Sequence, residues 1–165
     1  MRRIELTNAW RVDKSYLRSP RLDPQAMAMA ARFGAEQGAT THIPEIALHD
    51  RLMALLDARF PEPGGLRLLA HPSAPPIEAA IVRKEARPQI AASAKRERSL
   101  GGPNPSTGEP TVLAIGPEGG WIPREVDTFV ARGWSVVSLG APILRVEAAV
   151  ASALGQLLLL QRLRS

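Results

Sequence analysis

The residues of this chain that are best suited to chemistry lie in two glycine-containing turns, each of which follows an apolar run. The first turn reads Ile-Gly-Pro-Glu-Gly-Gly over residues 115–120, and the second reads Leu-Gly-Ala-Pro-Ile-Leu-Arg over residues 139–145. Glycine lets the backbone approach a ligand closely and adopt torsions that a β-carbon forbids, while proline stiffens the loop. The two turns therefore predict one ligand crevice, with Glu118 and Arg145 as its charged side chains.

Several common catalytic sites are absent from the sequence. It contains no phosphate-binding Gly-x-x-x-x-Gly-Lys-Ser/Thr loop, no Gly-x-Gly-x-x-Gly fingerprint and no Gly-x-Ser-x-Gly nucleophile elbow. His42, His49 and His71 lack metal-ligand spacing, and the absence of cysteine excludes a thiolate metal site. We therefore expect no metal, and we expect His71 to border the crevice because it follows a predicted strand.

Composition favours a cytoplasmic protein with a phosphate-rich partner. The formal charge is +5, and it comes mainly from arginine, whose planar guanidinium makes bidentate contacts with phosphate. The lack of cysteine suits a reducing compartment. The longest purely apolar run, at residues 157–160, is far shorter than the ~20 residues that a membrane span needs, and no signal-peptide core follows the basic start. We therefore expect neither a leader nor a membrane anchor.

A second candidate site is a basic segment, residues 8–21, which has no steady hydrophobic period. Basic side chains interleaved with aromatic ones can grip a nucleic-acid backbone while stacking a base. The alternative is a solvated loop with two anchoring aromatic side chains. The RNA-binding candidates are Arg11, Lys14, Tyr16 and Arg18, with Trp10 and Arg21 beside them.

The elements that must position these residues form an α/β pattern. Strand-like runs occur at residues 4–7, 43–46, 66–70, 111–115 and 134–139, and helix-like runs at residues 24–37, 50–60, 123–132 and 146–163. Asp23 and Gly38 are a predicted cap and stop for the first helix, whose shared face is expected to hold Met27, Ala30, Ala31 and Gly34. Residues 87–110, rich in Ser, Gly, Pro and charge, predict a mobile loop within one domain.

The last third of the chain predicts a βαβ unit, with Val126, Phe129 and Val130 on one helix face and Gly133 at its end. Its strands should be parallel with a right-handed crossover, and ligands of such sheets bind outside the carboxyl ends of the strands. Both glycine turns fall at those ends.

The final helix is apolar on nearly every face. Its apolar residues include Ala148, Val150, Leu154, Leu157, Leu158, Leu160 and Leu163. They cannot all face one small core, which predicts a second packed surface and hence a homodimer through this helix.

The two turns, together with Glu147, resemble the signature of the RsmE-type 16S ribosomal RNA uridine-N3 methyltransferases, S-adenosylmethionine-dependent enzymes of the SPOUT superfamily. The resemblance continues upstream in the family's order, so that it covers most of the chain. The upstream matches are residues 10–16, 19–20, 36–37, 44–45 and 70–72.

The resemblance implies a trefoil-knotted parallel sheet with flanking helices, a homodimer, and 16S ribosomal RNA or the small ribosomal subunit as partner. The implied cofactor is S-adenosylmethionine, held without a metal. Its implied contacts are Ala70, His71, Ile115, Gly116, Gly120, Leu139, Gly140, Ile143 and Leu144.

The implied reaction is attack of the uracil ring nitrogen on the sulfonium methyl carbon. Arg145 would stabilise negative charge on the uracil or hold a phosphate; its alternative is a structural ion pair with Glu147 or Glu118. Glu118 would position the cofactor or accept a proton; its alternative is to cap the helix that begins near Pro123.

The chain departs from the family pattern in two places. Ala148 stands where the family usually has threonine, and the family's small RNA-binding barrel, first strand and first helix precede the point at which this sequence begins. A truncated methyltransferase domain spanning residues 1–165 is therefore expected. The alternatives are a non-catalytic homodimer that binds cofactor or RNA, and an α/β nucleotide-binding domain of unrelated chemistry.

Overall fold

The computed structural model describes residues 1–86 and 110–163, with the side chains of residues 82–86 left out. The chain divides into two compact units, Met1–Pro61 and Glu62–Ser165. Apart from Pro110, the segment for which the sequence predicts a mobile loop lies outside the described residues. Each unit is mixed α/β with a parallel sheet and flanking helices, as the sequence predicts.

The first unit holds a two-stranded parallel sheet. The strands pair in register from Arg3 with Glu45 to Thr7 with His49. Leu52, Leu55 and Leu56, one side of the second helix, are buried. The regular elements are β1 (Arg3–Thr7), α1 (Pro24–Gln37), β2 (Glu45–His49) and α2 (Leu52–Arg59), with 3₁₀ helices at Lys14–Arg18 and Pro20–Leu22.

Two predictions for the first unit need correction. The strand predicted at residues 43–46 begins only after Pro44, because proline has no N–H to donate to a ladder.

The predicted cap of α1 is confirmed, since Asp23 Oδ1 accepts a hydrogen bond from the Gln25 N–H at 2.9 Å. Its expected face is partly wrong: Ala30 and Gly34 are exposed, and the inward residues, spaced four apart, are Met27, Ala31 and Ala35.

The second unit holds a three-stranded parallel sheet in the order β4, β3, β5. One part of its core is the buried cluster of Leu68, Ile77, Ala80 and Val137. The elements are β3 (Leu66–Ala70), α3 (Ile77–Ala86), β4 (Thr111–Ala114), α4 (Pro123–Ala131), β5 (Ser135–Val137) and α5 (Val146–Arg162).

The predicted unit of β4, α4 and β5 is confirmed in that its two strands are parallel. In the sheet, β3 lies between β4 and β5. The face of α4 differs from expectation, since Val130 is 50% exposed while Glu125 is buried. Glu125 is tolerated there because its Oε2 accepts the Ile122 N–H at 3.0 Å and closes the start of the helix. The sequence patterns missed α3 altogether.

Candidate functional site at the carboxyl edge of the three-stranded sheet

Three loops leave the same edge of the second unit's sheet. Because β3, β4 and β5 are parallel, the residues that follow them emerge together at the carboxyl edge. The His71 N–H donates to the Val137 carbonyl at 2.9 Å. The Ser138 N–H donates to the Pro75 carbonyl at 2.7 Å, which ties the loop after β3 to the end of β5.

The first glycine turn is a tight loop with an open side. The Gly120 N–H donates to the Pro117 carbonyl at 2.8 Å, and Gly120 has a φ of +68°, which L side chains rarely adopt. A β-carbon built on Gly120 would meet no atom within 4 Å. Glycine is thus required here by the backbone torsion, and the space beside it remains available to a ligand.

Gly116 in the same turn serves the protein's own packing. A β-carbon on Gly116 would lie 3.0 Å from Nε1 of Trp121, which is tighter than nine in ten such contacts, so the indole would have to shift. The Trp121 indole is buried and packs edge-on against Phe129, with ring centroids 5.1 Å apart. The sequence predicts Gly116 as a cofactor contact, and that stays a prediction; the structure adds that the Trp121 indole lies on the side of Gly116 where a β-carbon would be.

The second glycine turn is fixed to the final helix by polar side chains. Gln156 Nε2 donates to the Leu139 carbonyl at 2.8 Å and to Ser152 Oγ at 3.0 Å. The Leu139 side chain packs against the core cluster. Gly140, at a φ of +139°, follows directly, and its N–H donates to Ser138 Oγ at 3.2 Å. These hydrogen bonds anchor the start of the turn to the end of β5 and to α5.

The outer part of this turn presents apolar surface. Ile143 is 84% exposed and Leu144 is half-buried. Across the edge, Nδ1 of His71 accepts the Ser73 N–H at 3.3 Å, which orients the imidazole. Glycine backbone, aliphatic side chains and one imidazole make a surface suited to a flat, partly apolar ligand such as a nucleoside.

The two charged candidates are exposed. Arg145 stands at the N-cap of α5, and Glu118 lies in the first turn. Within residues 1–86 and 110–163, Arg145 forms no ion pair with Glu118 or Glu147. The cap at the start of α4 comes from Glu125. Neither structural alternative considered for Arg145 and Glu118 is therefore found in the described residues.

The basic segment belongs to the first unit and folds rather than forming an irregular loop. Asp13 Oδ1 accepts the Ser15 N–H at 2.8 Å and starts the 3₁₀ helix that carries Lys14, Tyr16 and Arg18. Those three side chains and Arg11 are exposed. All four predicted RNA-binding residues are thus presented by one short folded segment.

Sequence reasoning missed the residues that support the turns. Trp121 follows the two glycines directly, and Ser152 and Gln156 are polar residues, four apart, in the mostly apolar stretch of α5 from residue 148 to residue 160. That spacing was a usable signal, because residues four apart share a helix face. The acceptor of the Gln156 hydrogen bond is the backbone carbonyl of Leu139, which the sequence does not single out because every residue has a carbonyl.

Among the residues that the structure describes, no group of histidine, aspartate and glutamate side chains is arranged to hold a metal ion. No helix in the same part of the chain combines the length and apolarity that crossing a bilayer requires.

The three-stranded parallel sheet, its flanking helices and the glycine turns at its edge define the chain as an α/β protein with a candidate ligand site at the sheet edge. A Legionella pneumophila protein assigned as a methyltransferase, solved with the cofactor SAM bound, superposes with a TM-score of 0.62 and 22% identity. The alignment covers 94% of this chain and 54% of that one. A crystal structure of a protein of unassigned function gives a TM-score of 0.56 at 21% identity, over 93% of this chain and 52% of that one.

The family follows from the sequence itself. The profile of the RNA methyltransferase domain matches residues 1–158, so the chain belongs to that family. The ribosomal RNA small subunit methyltransferase E of Synechocystis sp. is 50% identical over 46 residues, which are 28% of this chain and 15% of that protein. These matches confirm the resemblance to RsmE-type methyltransferases. The chain spans about half the length of the solved structures it matches.

Proposed function

We propose that the chain binds S-adenosylmethionine at the carboxyl edge of the three-stranded sheet and transfers its methyl group to RNA, at N3 of a uridine in 16S ribosomal RNA. Family membership supports the RNA methyltransferase class. The observation that carries the proposal is the meeting of three loops at one sheet edge, two of which contain glycines, Gly120 and Gly140, at positive φ.

The residues at this edge fit such a cofactor. Adenine is flat and is recognised well by backbone groups and aliphatic side chains, which the two turns supply. The open space at Gly120 and the exposed Ile143 leave room for it. The proposed contacts are Ala70, His71, Ile115, Gly116, Gly120, Leu139, Gly140, Ile143 and Leu144.

When bound, S-adenosylmethionine supplies an electrophilic methyl group on a positively charged sulfur. Before a uracil N3 can attack, it must lose its proton, and the negative charge spreads to the two carbonyl oxygens. Arg145, exposed and without an ion pair to Glu118 or Glu147 among the described residues, is positioned to donate hydrogen bonds to one of those oxygens or to a phosphate. Glu118 is the carboxylate in the turn that would accept the proton or orient the cofactor.

The finer architecture is part of the same proposal. We infer that the two units belong to one methyltransferase domain, and that its last helix is threaded through a loop as a trefoil knot. Leu154, Leu158 and Leu159 of α5 are 37%, 54% and 56% exposed, which supports packing of this helix against a second copy. A cytoplasmic location, which the lack of cysteine suits, and 16S ribosomal RNA as partner, which the basic segment of the first unit suits, belong to the same proposal.

Calorimetric titration with S-adenosylhomocysteine tests the cofactor site. Ile143→Asp places a carboxylate on a side chain that is 84% exposed, so folding should be unaffected. The matched control is Ile43→Asp, which changes an isoleucine that is 51% exposed in the first unit. We expect saturable binding that Ile143→Asp weakens at least tenfold and Ile43→Asp leaves intact. A folded protein that does not bind would favour a non-catalytic RNA-binding homodimer.

A further inference from the structure

Two aromatic side chains of the first unit are exposed to an unusual degree. Trp10 is 78% exposed and Tyr16 is 67% exposed. Large aromatic side chains usually stabilise a protein by being buried, whereas the Trp10 and Tyr16 side chains are mostly exposed to solvent. Their placement is therefore costly unless something outside the unit covers them.

The backbone that carries these rings is ordered by its own hydrogen bonds. The Val12 N–H donates to the Ala9 carbonyl at 3.0 Å, and the Tyr16 N–H donates to the Asp13 carbonyl at 3.0 Å. Ala9 itself is buried. Because the segment is already folded, a ligand that stacks on its rings does not bear the entropy cost of ordering a loop.

The charge around the rings is positive. Residues 10–22 contain one acidic side chain, Asp13, and its carboxylate is engaged by the Ser15 N–H. In the part of the chain that the structure covers, Lys14, Arg18 and Arg21 form no ion pair. A segment that combines exposed rings with cations such as Lys14, Arg18 and Arg21 is complementary to a polyanion that also offers flat apolar faces.

We propose that residues 10–21 form a binding site for unpaired RNA, in which Trp10 and Tyr16 stack on bases while the basic side chains contact phosphates. The inference narrows the substrate class of the proposed function and rests on it. Bases within a duplex cover one another's faces, so aromatic side chains can stack only on nucleotides that are unpaired or turned out of a helix. A surface built for duplex RNA would need cations but no exposed rings.

Fluorescence anisotropy with labelled oligonucleotides tests this site in the 165-residue chain. The probes are a 12-nucleotide RNA strand, used alone and annealed to its complement. We expect the single strand to bind at least about tenfold more tightly. Trp10→Ala and Tyr16→Ala should each weaken single-strand binding about tenfold, whereas Trp10→Phe should retain most of it.

The charged residues should behave differently from the rings. Lys14→Ala and Arg18→Ala should weaken binding of both probes and reduce the salt dependence by about one unit each. Phe33→Ala is the control, because Phe33 is an aromatic side chain 56% exposed on α1, outside the segment. All these side chains are exposed, so the unfolding midpoints should match that of the parent.

Equal affinity for strand and duplex, or wild-type affinity of Trp10→Ala and Tyr16→Ala, would overturn the inference. Titration of the same variants with S-adenosylhomocysteine separates this failure from that of the proposed function. Retained cofactor binding with no strand preference would reject the stacking site alone. A preserved strand preference without cofactor binding would reject the methyltransferase proposal alone.

Discussion

Gly116 and Trp121 fit together as a pair: a β-carbon on the glycine would lie 3.0 Å from the indole Nε1. The indole nitrogen is buried and has no hydrogen-bond partner among the residues described. It lies against the first glycine turn from inside the protein. The glycine therefore keeps the turn close to the aromatic cluster of Trp121, Phe129 and Trp134.

Gly116→Ala should destabilise the second unit by about 1–3 kcal/mol, because the new methyl group overpacks against a buried ring. In a Trp121→Leu background, which removes the ring, the same alanine should cost little. Urea unfolding of the two single variants and the double variant measures the coupling, which we expect to exceed about 1 kcal/mol. Strictly additive costs would mean that Trp121 is not what requires glycine at this position.

The same double variant bears on the cofactor. If the alanine harms binding only through Trp121, the affinity for S-adenosylhomocysteine should be the same in Trp121→Leu and in Gly116→Ala/Trp121→Leu. A loss that persists without the indole would instead assign Gly116 a direct contact with the ligand.

Gln156 positions the second turn through the Leu139 carbonyl. Gln156→Leu removes a 2.8 Å hydrogen bond and leaves the Leu139 carbonyl with the longer 3.5 Å contact from the Ser152 hydroxyl, at a cost of about 1 kcal/mol. Because Gly140 follows this carbonyl directly, we expect cofactor affinity to fall several-fold as well. Calorimetry measures the affinity and urea unfolding measures the stability.

Ser152→Ala is the graded comparison, since the Ser152 hydroxyl donates to the same carbonyl at only 3.5 Å. Its effect on cofactor binding should be smaller than that of Gln156→Leu. Equal or reversed effects would show that Gln156 does not hold the turn.

Acid should destabilise the first unit through Glu5. Burial raises the pKa of Glu5, but hydrogen bonds from His49 and Arg3 lower it more, so that the net pKa lies below its ordinary value of 4.5. A carboxylate with a depressed pKa in the folded state contributes stability above its unfolded pKa and loses it as the pH falls through the folded pKa.

Glu5→Gln should therefore cost on the order of 1 kcal/mol at pH 7 and flatten the loss of stability below about pH 4.5. Denaturation monitored by circular dichroism between pH 3 and pH 7 measures both effects. Glu36→Gln is the control, since its ion pair with Arg32 is exposed on both sides and should contribute little. A parent protein as stable at pH 3 as at pH 7 would contradict the account.

The structural elements that the sequence predicted correctly are those whose signals lie in neighbouring residues. The Asp23 cap, the strand Leu66–Ala70 and the parallel unit that contains α4 all followed from neighbouring residues. The helix Ile77–Ala86 was missed although Ile77, Ala80 and Ile81 are spaced as one helix face and are all buried. The predicted burial of Val130 was also wrong, since Val130 belongs to the apolar pattern of α4 but its side chain faces outward.

The sequence predicted the loops that form the candidate site, but it did not predict the side chains that hold these loops in place. The positions of both glycine turns followed from the strands before them, because the strands are parallel. The contacts from Trp121 to Gly116 and from Gln156 to Leu139 depend on three-dimensional packing of segments that the turn motifs do not include.

The exposed leucines of α5 lead to a prediction about assembly. Leu158→Glu places a charge on a side chain that is 54% exposed, so the monomer should fold while an apolar dimer interface should not form. Met29→Glu, at a side chain 58% exposed on α1, should leave the assembly unchanged. Sedimentation equilibrium measures the mass. A parent chain that sediments as a monomer would contradict the dimer.

The most direct test of the account is transfer of a labelled methyl group from S-adenosylmethionine to unmethylated small-subunit ribosomal RNA, followed by mapping of the modified base. We predict incorporation at N3 of a single uridine, reduced at least about a hundredfold by Arg145→Ala, since loss of one group that stabilises developing charge costs about this much. No incorporation by a chain that binds S-adenosylhomocysteine, or incorporation that Arg145→Ala leaves unchanged, would contradict it.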